Sequence, residues 1–184
     1  MDAQQRASKI RLIAFDVDGV MTDGSLHFTD DGRELKTFNT LDGHGLKALM
    51  DVGVHVAIIT GRKSGCVVAR AANLGIHEFH QGVENKLDVL NKIRLQHGLS
   101  WEACAFMGDD LIDLPCMLSC GFSCAPSNAY TLIKSKANWI APKIGGQGAV
   151  REACDFILSA QGLLDKSLAR YLVPHPDSGT ASVL

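Results

Sequence analysis

The stretch that most constrains the fold is Ile10-Arg11-Leu12-Ile13-Ala14-Phe15-Asp16-Val17-Asp18-Gly19, an apolar run that ends abruptly in two carboxylates. A short run of Ile, Leu, Ala and Phe closed by Asp and Gly reads as a strand buried on both faces, as in a parallel sheet. Asp16 and Asp18 stand two positions apart, so a strand period of two sends both side chains to the same side. Two unpaired carboxylates beside an apolar strand repel each other and lose hydration, which calls for a cation between them. Magnesium is the expected ion, because it takes hard oxygen ligands and commonly enters with a substrate phosphate. The plain alternative is a pair of aspartates ending a strand in a polar loop. It weakens as later polar residues fall into place.

Two further apolar runs end the same way. Residues 54–59 run into Thr60-Gly61-Arg62-Lys63, and residues 104–107 run into Gly108-Asp109-Asp110-Leu111-Ile112-Asp113. Weaker strands are expected at 76–81, 121–125 and 138–140. Between them lie helical patterns: a short helix after Asp42-Gly43-His44-Gly45, and one from a Ser64 cap to residue 73 closed by Gly75. A longer one spans 85–97, using Leu87, Leu90, Ile93 and Leu95 and stopping at Gly98. Others follow Pro115, span 130–136, run from the glycine-rich 145–148 segment to about 160, and extend from Gly162 to Leu172. Strands alternating with helices predict an α/β domain, a doubly wound and mainly parallel sheet.

Residues 25–38 alternate on either side of Asp30-Asp31-Gly32, a hairpin signature. Leu26, Phe28 and Phe38 are expected to expose apolar side chains on this flap, which is marginal alone and calls for a cover such as a second subunit. Residues 174–184 read as an extended tail. The length predicts that the whole chain, 1–184, forms one domain with a full hydrophobic core.

With 46% hydrophobic and 21% charged residues and a net charge of −2, the composition suggests no nucleic-acid and no membrane partner. The first eight residues are polar, and the apolar run after them is too short for a signal or membrane-spanning segment, so a cytoplasmic location is expected. Six cysteines form no C-x-x-C pair and the histidines no H-x-H, which argues against a zinc site or a disulfide framework.

In a doubly wound sheet, ligands bind beyond the C-terminal strand ends. Asp16 and Asp18, Thr60-Gly61-Arg62, and Asp109 with Asp113 all fall there, which marks an active site. Asp16 suits nucleophilic attack on a phosphate ester, giving an aspartyl-phosphate, with magnesium aligning the attack. Asp109 supplies a further carboxylate to the ion, and Asp18 can serve as general acid and then base. Thr60 and the Gly61 amide can donate to phosphate oxygens. Lys86 can add positive charge to the transition state, or be a solvated surface lysine. Asp113 can hold Lys86 or a metal-bound water, or be a helix-surface carboxylate.

In order, Asp16-Val17-Asp18-Gly19-Val20, Thr60, Lys86 and the 108–113 segment resemble the four motifs of the haloacid dehalogenase-like phosphatase superfamily. That resemblance implies metal ligation by Asp16, Asp109 and the backbone carbonyl of Asp18, with Asp18 as general acid and base. Phe38-Asn39, Asp42-Gly43-His44-Gly45, Ile58 to Lys63, Gln81-Gly82, Asn85-Lys86, the acidic segment with Asp110, and Gly145 to Glu152 are similar to one branch. This is the 3-deoxy-D-manno-octulosonate 8-phosphate phosphatase family of lipopolysaccharide inner-core synthesis. Phosphatases of 2-keto-3-deoxynononate 9-phosphate, and sialic-acid-associated relatives, share much of the pattern.

Only 44 positions separate Asp16 from Thr60 and 26 separate Thr60 from Lys86, which leaves no room for a cap domain. An uncapped site is open to water. The resemblance implies a homotetramer in which a neighbour's hairpin closes each site. The expected substrate is a sugar-acid phosphate, its carboxylate forked by Arg62 with Lys63 or Arg70 adding field. Arg151 follows a glycine-rich helix start, which reads either as an anion site or as a simple turn. Three rivals remain: a phosphoaspartate receiver module, a retired scaffold and a mutase. Asp18 and the hairpin argue against the first, the four intact motifs against the second, and the missing cap against the third.

Overall fold

The computed structural model describes residues 1–172 of the 184. The tail expected at 174–184 lies outside the described residues.

The chain opens with a helix absent from the sequence reading, α1 (Ala3–Ala7). Its end is fixed by a capping box, in which the Gln5 amide donates to the Asp2 carboxylate and the Asp2 amide donates back to the Gln5 side chain. β1 (Leu12–Phe15) follows, shorter than its apolar run, and all four of its residues are buried. The hairpin is real but small: β2 (His27–Phe28) pairs antiparallel with β3 (Glu34–Leu35). Leu26, Phe28 and Leu35 on it are about half exposed. Phe38 departs from the expectation, since it packs against the core and carries the Arg70 guanidinium over its ring.

α2 (Thr40–Asp51) starts earlier than its glycines suggest, because Asn39 caps it by accepting the Leu41 amide. Gly43 and Gly45 therefore lie inside the helix. A Cβ at Gly45 would stand 3.1 Å from the Cβ of Cys154, so the glycine lets a second helix approach closely. The remaining elements are β4 (His55–Thr60), α3 (Gly65–Leu74), β5 (Glu78–Gln81), α4 (Lys86–Gln96), β6 (Cys104–Met107), α5 (Leu114–Ser119), β7 (Phe122–Ala125), α6 (Thr131–Lys136), β8 (Trp139–Ile140), α7 (Ala149–Ala160) and α8 (Leu164–Leu168). Ser64 does occupy the N-cap position of α3, but it makes no side-chain cap hydrogen bond.

The six-stranded sheet is parallel throughout and ordered β5-β4-β1-β6-β7-β8. Alternation along β1 splits the core. Ile13 and Phe15 meet residues of α1, α2, α3 and α7, whereas Leu12 and Ala14 meet residues of α4, α5 and α6. The chain leaves β1 toward one face and β6 toward the other, so the topological switch point falls between these two strands. A crevice opens there at their C-terminal ends. Among the described residues, no helix is long and apolar enough to cross a membrane.

Asp42, buried in α2, ties that helix to the start of α7. Its Oδ1 accepts the Arg151 amide at 2.8 Å, placing a carboxylate at the N-terminus of α7. Replacing it leaves buried amides without an acceptor. Asp42→Ala should lower the unfolding free energy by about 1–3 kcal/mol in denaturant titration, and Asp42→Asn by less. A loss below a few tenths would show that water satisfies this end.

Candidate active site

β1, β4 and β6 carry the polar groups to one place. Asp16 follows β1 directly, and its amide donates to the Met107 carbonyl of β6 at 3.0 Å. Thr60 is the last residue of β4, and Asp109 lies just beyond β6. A cleft of about 250 Å³ is lined by Asp16, Asp18, Thr60, Gly61, Arg62, Asp109, Asp110 and Ile112, together with Gly24. A larger hollow of about 320 Å³ lies by His55, Glu78 and His97, at the opposite end of the sheet. The smaller cleft holds the acids and the switch point, so it is the chemically competent one.

Lys86 is the pivot of the site. It is the first residue of α4, capped by Asn85, and it is 3% exposed, which removes the solvated-lysine alternative. Its Nζ lies 2.7 Å from Asp16 Oδ1 and 2.7 Å from Asp113 Oδ1. Asp113 is fully buried, so it is no helix-surface carboxylate. Its other oxygen accepts the amides of Asp109 at 3.0 Å and Asp110 at 3.3 Å. Asp113 thus fixes the lysine and the acidic loop together. Asp110 turns its own carboxylate to the Leu111 amide at 2.7 Å, as the cap of a 3-10 turn over Leu111–Asp113.

Oxygens of Asp16, Asp109 and Asp113 lie within 4.8 Å of one another. Burial, then the charge of Asp113, pushes the Asp16 carboxyl up to about 6, with Lys86 opposing. Burial, then Asp113, Asp16 and Asp110, pushes Asp109 up to about 7. Burial works against the Lys86 charge, but its two carboxylate partners outweigh it and raise its pKa above the ordinary value. Asp109 Oδ1 is buried without a hydrogen-bond partner. This is the environment a hard cation relieves, and Asp113, already engaged through both oxygens, stands behind Asp16 and Asp109 as support.

Glycines set the spacing of this loop. Gly19 has φ of 87°, and a Cβ on it would stand 2.0 Å from Asp109 Oδ2. A Cβ on Gly145 would stand 1.9 Å from the Gly19 carbonyl oxygen. The 145–148 segment is therefore packed backbone to backbone against the Asp18–Gly19 turn. The Gly145 amide donates to Asn128 and the Gly146 amide to Val20. The anion at the start of α7 is internal, since Asp42 holds the Arg151 amide, and the Arg151 side chain pairs with Asp155 at 2.7 Å. Arg151 is not brought to the cleft. Neither is Arg70, whose guanidinium donates to the Asn39 carbonyl at 2.9 Å.

The rim contains two residues to which the sequence reading gave no role. Lys36 of the hairpin has its side chain almost fully buried and contacts Asp18. Glu34 accepts from Arg62 at 2.9 Å and lies 3.2 Å from Lys36. Arg62 Nε in turn lies 3.7 Å from Asp18 Oδ2. Glu34 and Lys36 stand two apart in a strand-like run, and that shared face was the available signal. Thr22, also buried, receives the Gly19 and Gly24 amides on its hydroxyl and closes the loop.

No family model matches the chain. It is 43% identical over 166 residues to the 3-deoxy-D-manno-octulosonate 8-phosphate phosphatase KdsC of Escherichia coli K12, covering 90% of this chain and 88% of that one. The solved 3-deoxy-D-manno-octulosonate 8-phosphate phosphatase of Yersinia pestis superposes with a TM-score of 0.87 at 44% identity, over 89% of each chain. The enzyme of that name from Moraxella catarrhalis, in complex with magnesium ion, phosphate ion and KDO, gives 0.89 at 40% identity, over 92% of this chain and 97% of that one.

Two outcomes follow for the metal-free protein. Lys86→Met leaves buried carboxylates uncompensated and should cost about 3–5 kcal/mol of stability, part of it regained by Lys86→Arg. Asp16 and Asp109 titrate above the ordinary 3.8, so the folded state binds more protons than the unfolded chain between that value and about 6 to 7. Their contribution to stability is present in acid and is lost as pH rises through that window. Chelated protein should therefore gain more melting temperature from magnesium at about pH 8 than at about pH 5, and Asp109→Asn should flatten the difference. Equal gains at both pH values would contradict the crowded-carboxylate picture.

Proposed function

The chain belongs to the 3-deoxy-D-manno-octulosonate 8-phosphate phosphatase family, and from that membership we propose that it hydrolyses the 8-phosphate ester of this sugar acid. The products are the free acid, destined for the inner core of lipopolysaccharide, and inorganic phosphate. The observation that carries the reading is Asp16 held by Lys86 beside Asp109, at the switch point of the sheet, with Asp18 and Arg62 on the rim. The fold is that of the haloacid dehalogenase-like hydrolases, and the described residues contain no cap domain.

The donor set fits magnesium: two crowded carboxylates, Asp16 and Asp109, with Asp109 Oδ1 otherwise unpartnered, and by the family resemblance the Asp18 carbonyl would supply a third oxygen. When bound, magnesium neutralises charge on the phosphate and favours in-line displacement. Asp16 attacks phosphorus, the ester P–O bond breaks, and Asp18 hands a proton to the departing sugar oxygen. In the second half-reaction Asp18 takes a proton from water, whose oxygen attacks the phosphoryl group. The P–O bond to Asp16 then breaks and phosphate leaves. Thr60 and the Gly61 amide donate to the transferred oxygens, and Lys86 holds Asp16 in line and adds positive charge. Arg62 forks the substrate carboxylate.

We assign the exposed Leu26, Phe28 and Leu35 of the hairpin to contact with a neighbouring subunit, in a homotetramer where each flap tip closes an adjacent site. Six free cysteines, five of them buried, suit the reducing cytoplasm, where we place the reaction.

Phosphate release with magnesium, measured on a panel of esters, tests this reading. The eight-carbon acid phosphate should be preferred over the nine-carbon acid phosphate, glucose 6-phosphate and p-nitrophenyl phosphate. Asp16→Asn should lower kcat by more than about a thousandfold. Preference for the nine-carbon acid would keep the mechanism and change the substrate. Turnover that survives in Asp16→Asn would overturn the mechanism.

A further inference from the structure

The Arg62 guanidinium, which the reading above gives to the substrate carboxylate, already holds one. Its Nη2 donates to Glu34 Oε1 at 2.9 Å, and the same oxygen lies 3.2 Å from Lys36 Nζ. The Glu34 side chain is only 13% exposed and the Lys36 side chain 1%, whereas the Arg62 side chain is 46% exposed, so the carboxylate is sheltered and the guanidinium stays open to an incoming group. The cluster stands directly on the cleft, because both cations also reach the carboxylate of Asp18. A planar guanidinium fork is matched by any carboxylate that can reach it. The chain's own carboxylate therefore sits where an incoming one would bind.

We propose that Glu34 is a specificity-determining residue that occupies the carboxylate subsite at Arg62 until the carboxylate of the sugar acid displaces it. On release of the product acid, Glu34 recovers Arg62 and completes its expulsion. The exchange swaps one carboxylate for another on the same cation, and the displaced Glu34 keeps Lys36, 3.2 Å from its Oε1. It requires little of the fold. Glu34 belongs to β3, half of a hairpin of two two-residue strands, the least supported element on the rim. Lys36, two residues on, stays with Asp18 and keeps the base of the hairpin in place. A phosphate ester without a carboxylate offers nothing to displace Glu34 and meets Arg62 already neutralised. Discrimination against simple sugar phosphates is then partly a property of Glu34. This inference rests on the phosphatase reading for the identity of the acid, and on the ion-pair geometry for the competition itself.

The test compares wild type, Glu34→Gln and Glu34→Asp as full-length magnesium-loaded enzymes. Three quantities are measured: KM for the eight-carbon acid phosphate, KM for p-nitrophenyl phosphate, and the inhibition constant of pyruvate, a small 2-keto acid, against p-nitrophenyl phosphate turnover. Removing the internal competitor should lower the first and third values about two- to fivefold in Glu34→Gln, the range of a partly exposed ion pair. KM for p-nitrophenyl phosphate should not fall with them, and Glu34→Asp, which keeps a carboxylate, should stay close to wild type. If the first and third values rise in Glu34→Gln, Glu34 orients Arg62 for substrate and the competition is refuted. Unchanged values refute it equally. If wild type cleaves p-nitrophenyl phosphate but not the eight-carbon acid phosphate, the substrate assignment fails, and the pyruvate measurement still decides the role of Glu34.

Discussion

The site depends on one buried cation. Lys86 lies between Asp16 and Asp113, and its two ion pairs tie the start of α4 to the loops after β1 and β6. Each of those loops ends a strand at the switch point, where the chain departs to opposite faces of the sheet. Without the lysine, Asp16, Asp109 and Asp113 would face one another across a few ångströms of low-dielectric space. With it, Asp16 is oriented and Asp113 is free to use its second oxygen on the Asp109 and Asp110 amides. One positive charge thus sets the direction of the Asp16 carboxylate and the shape of the loop that presents Asp109. The positive charge it supplies still leaves Asp109 crowded, and that residual imbalance is what a divalent ion corrects.

A second constraint is steric. The turn at Asp18–Gly19 is gripped between the Asp109 carboxylate and the backbone of Gly145, with no room for a Cβ at either contact. The glycine-rich segment before α7 therefore acts as a buttress for the Asp18–Gly19 turn, far from its position in sequence. Asp42 secures that segment by holding the first turn of α7 through the Arg151 amide. The path runs from α2, which begins at the foot of the hairpin, through α7 to the turn that carries Asp18. The rim cluster of Glu34, Lys36, Arg62 and Asp18 closes the same path from the other side.

Much of this was legible in the residues. Fully buried parallel strands leave continuous apolar runs, so β1, β4 and β6 were visible, with Asp16, Thr60 and Asp109 at their ends. The roles of Lys86 and Asp113 were open at that stage, because a lysine at a helix start and an aspartate in a short turn have solvated alternatives that only burial removes. The start of α2 was hidden by two glycines that read as a turn, whereas they serve close helix contacts inside it. α1 was missed because a five-residue helix has too little periodicity to detect, and its evidence is a capping box alone. Phe38 was read as part of an exposed flap, but it lies past β3, where the chain has already turned back to the core. Arg70 and Arg151 carry the right charge for an anion, yet other partners absorb them: for Arg70 the Asn39 carbonyl, distant in sequence, and for Arg151 the carboxylate of Asp155 one turn on in the same helix. The two-residue spacing of Glu34 and Lys36 puts them on one face, but their partners Asp18 and Arg62 lie 18 and 28 residues away, which that spacing does not identify.

The central claim is that Asp16 becomes covalently phosphorylated while Asp18 completes the cycle. The most direct measurement is mass spectrometry of peptides from Asp18→Asn enzyme, quenched in acid during incubation with magnesium and the eight-carbon acid phosphate. A phosphoryl group on the peptide that carries Asp16, absent in the Asp16→Asn, Asp18→Asn double variant, is the predicted result. Phosphate release with no adduct on any peptide at any quench time, or an adduct that persists without Asp16, would contradict the account.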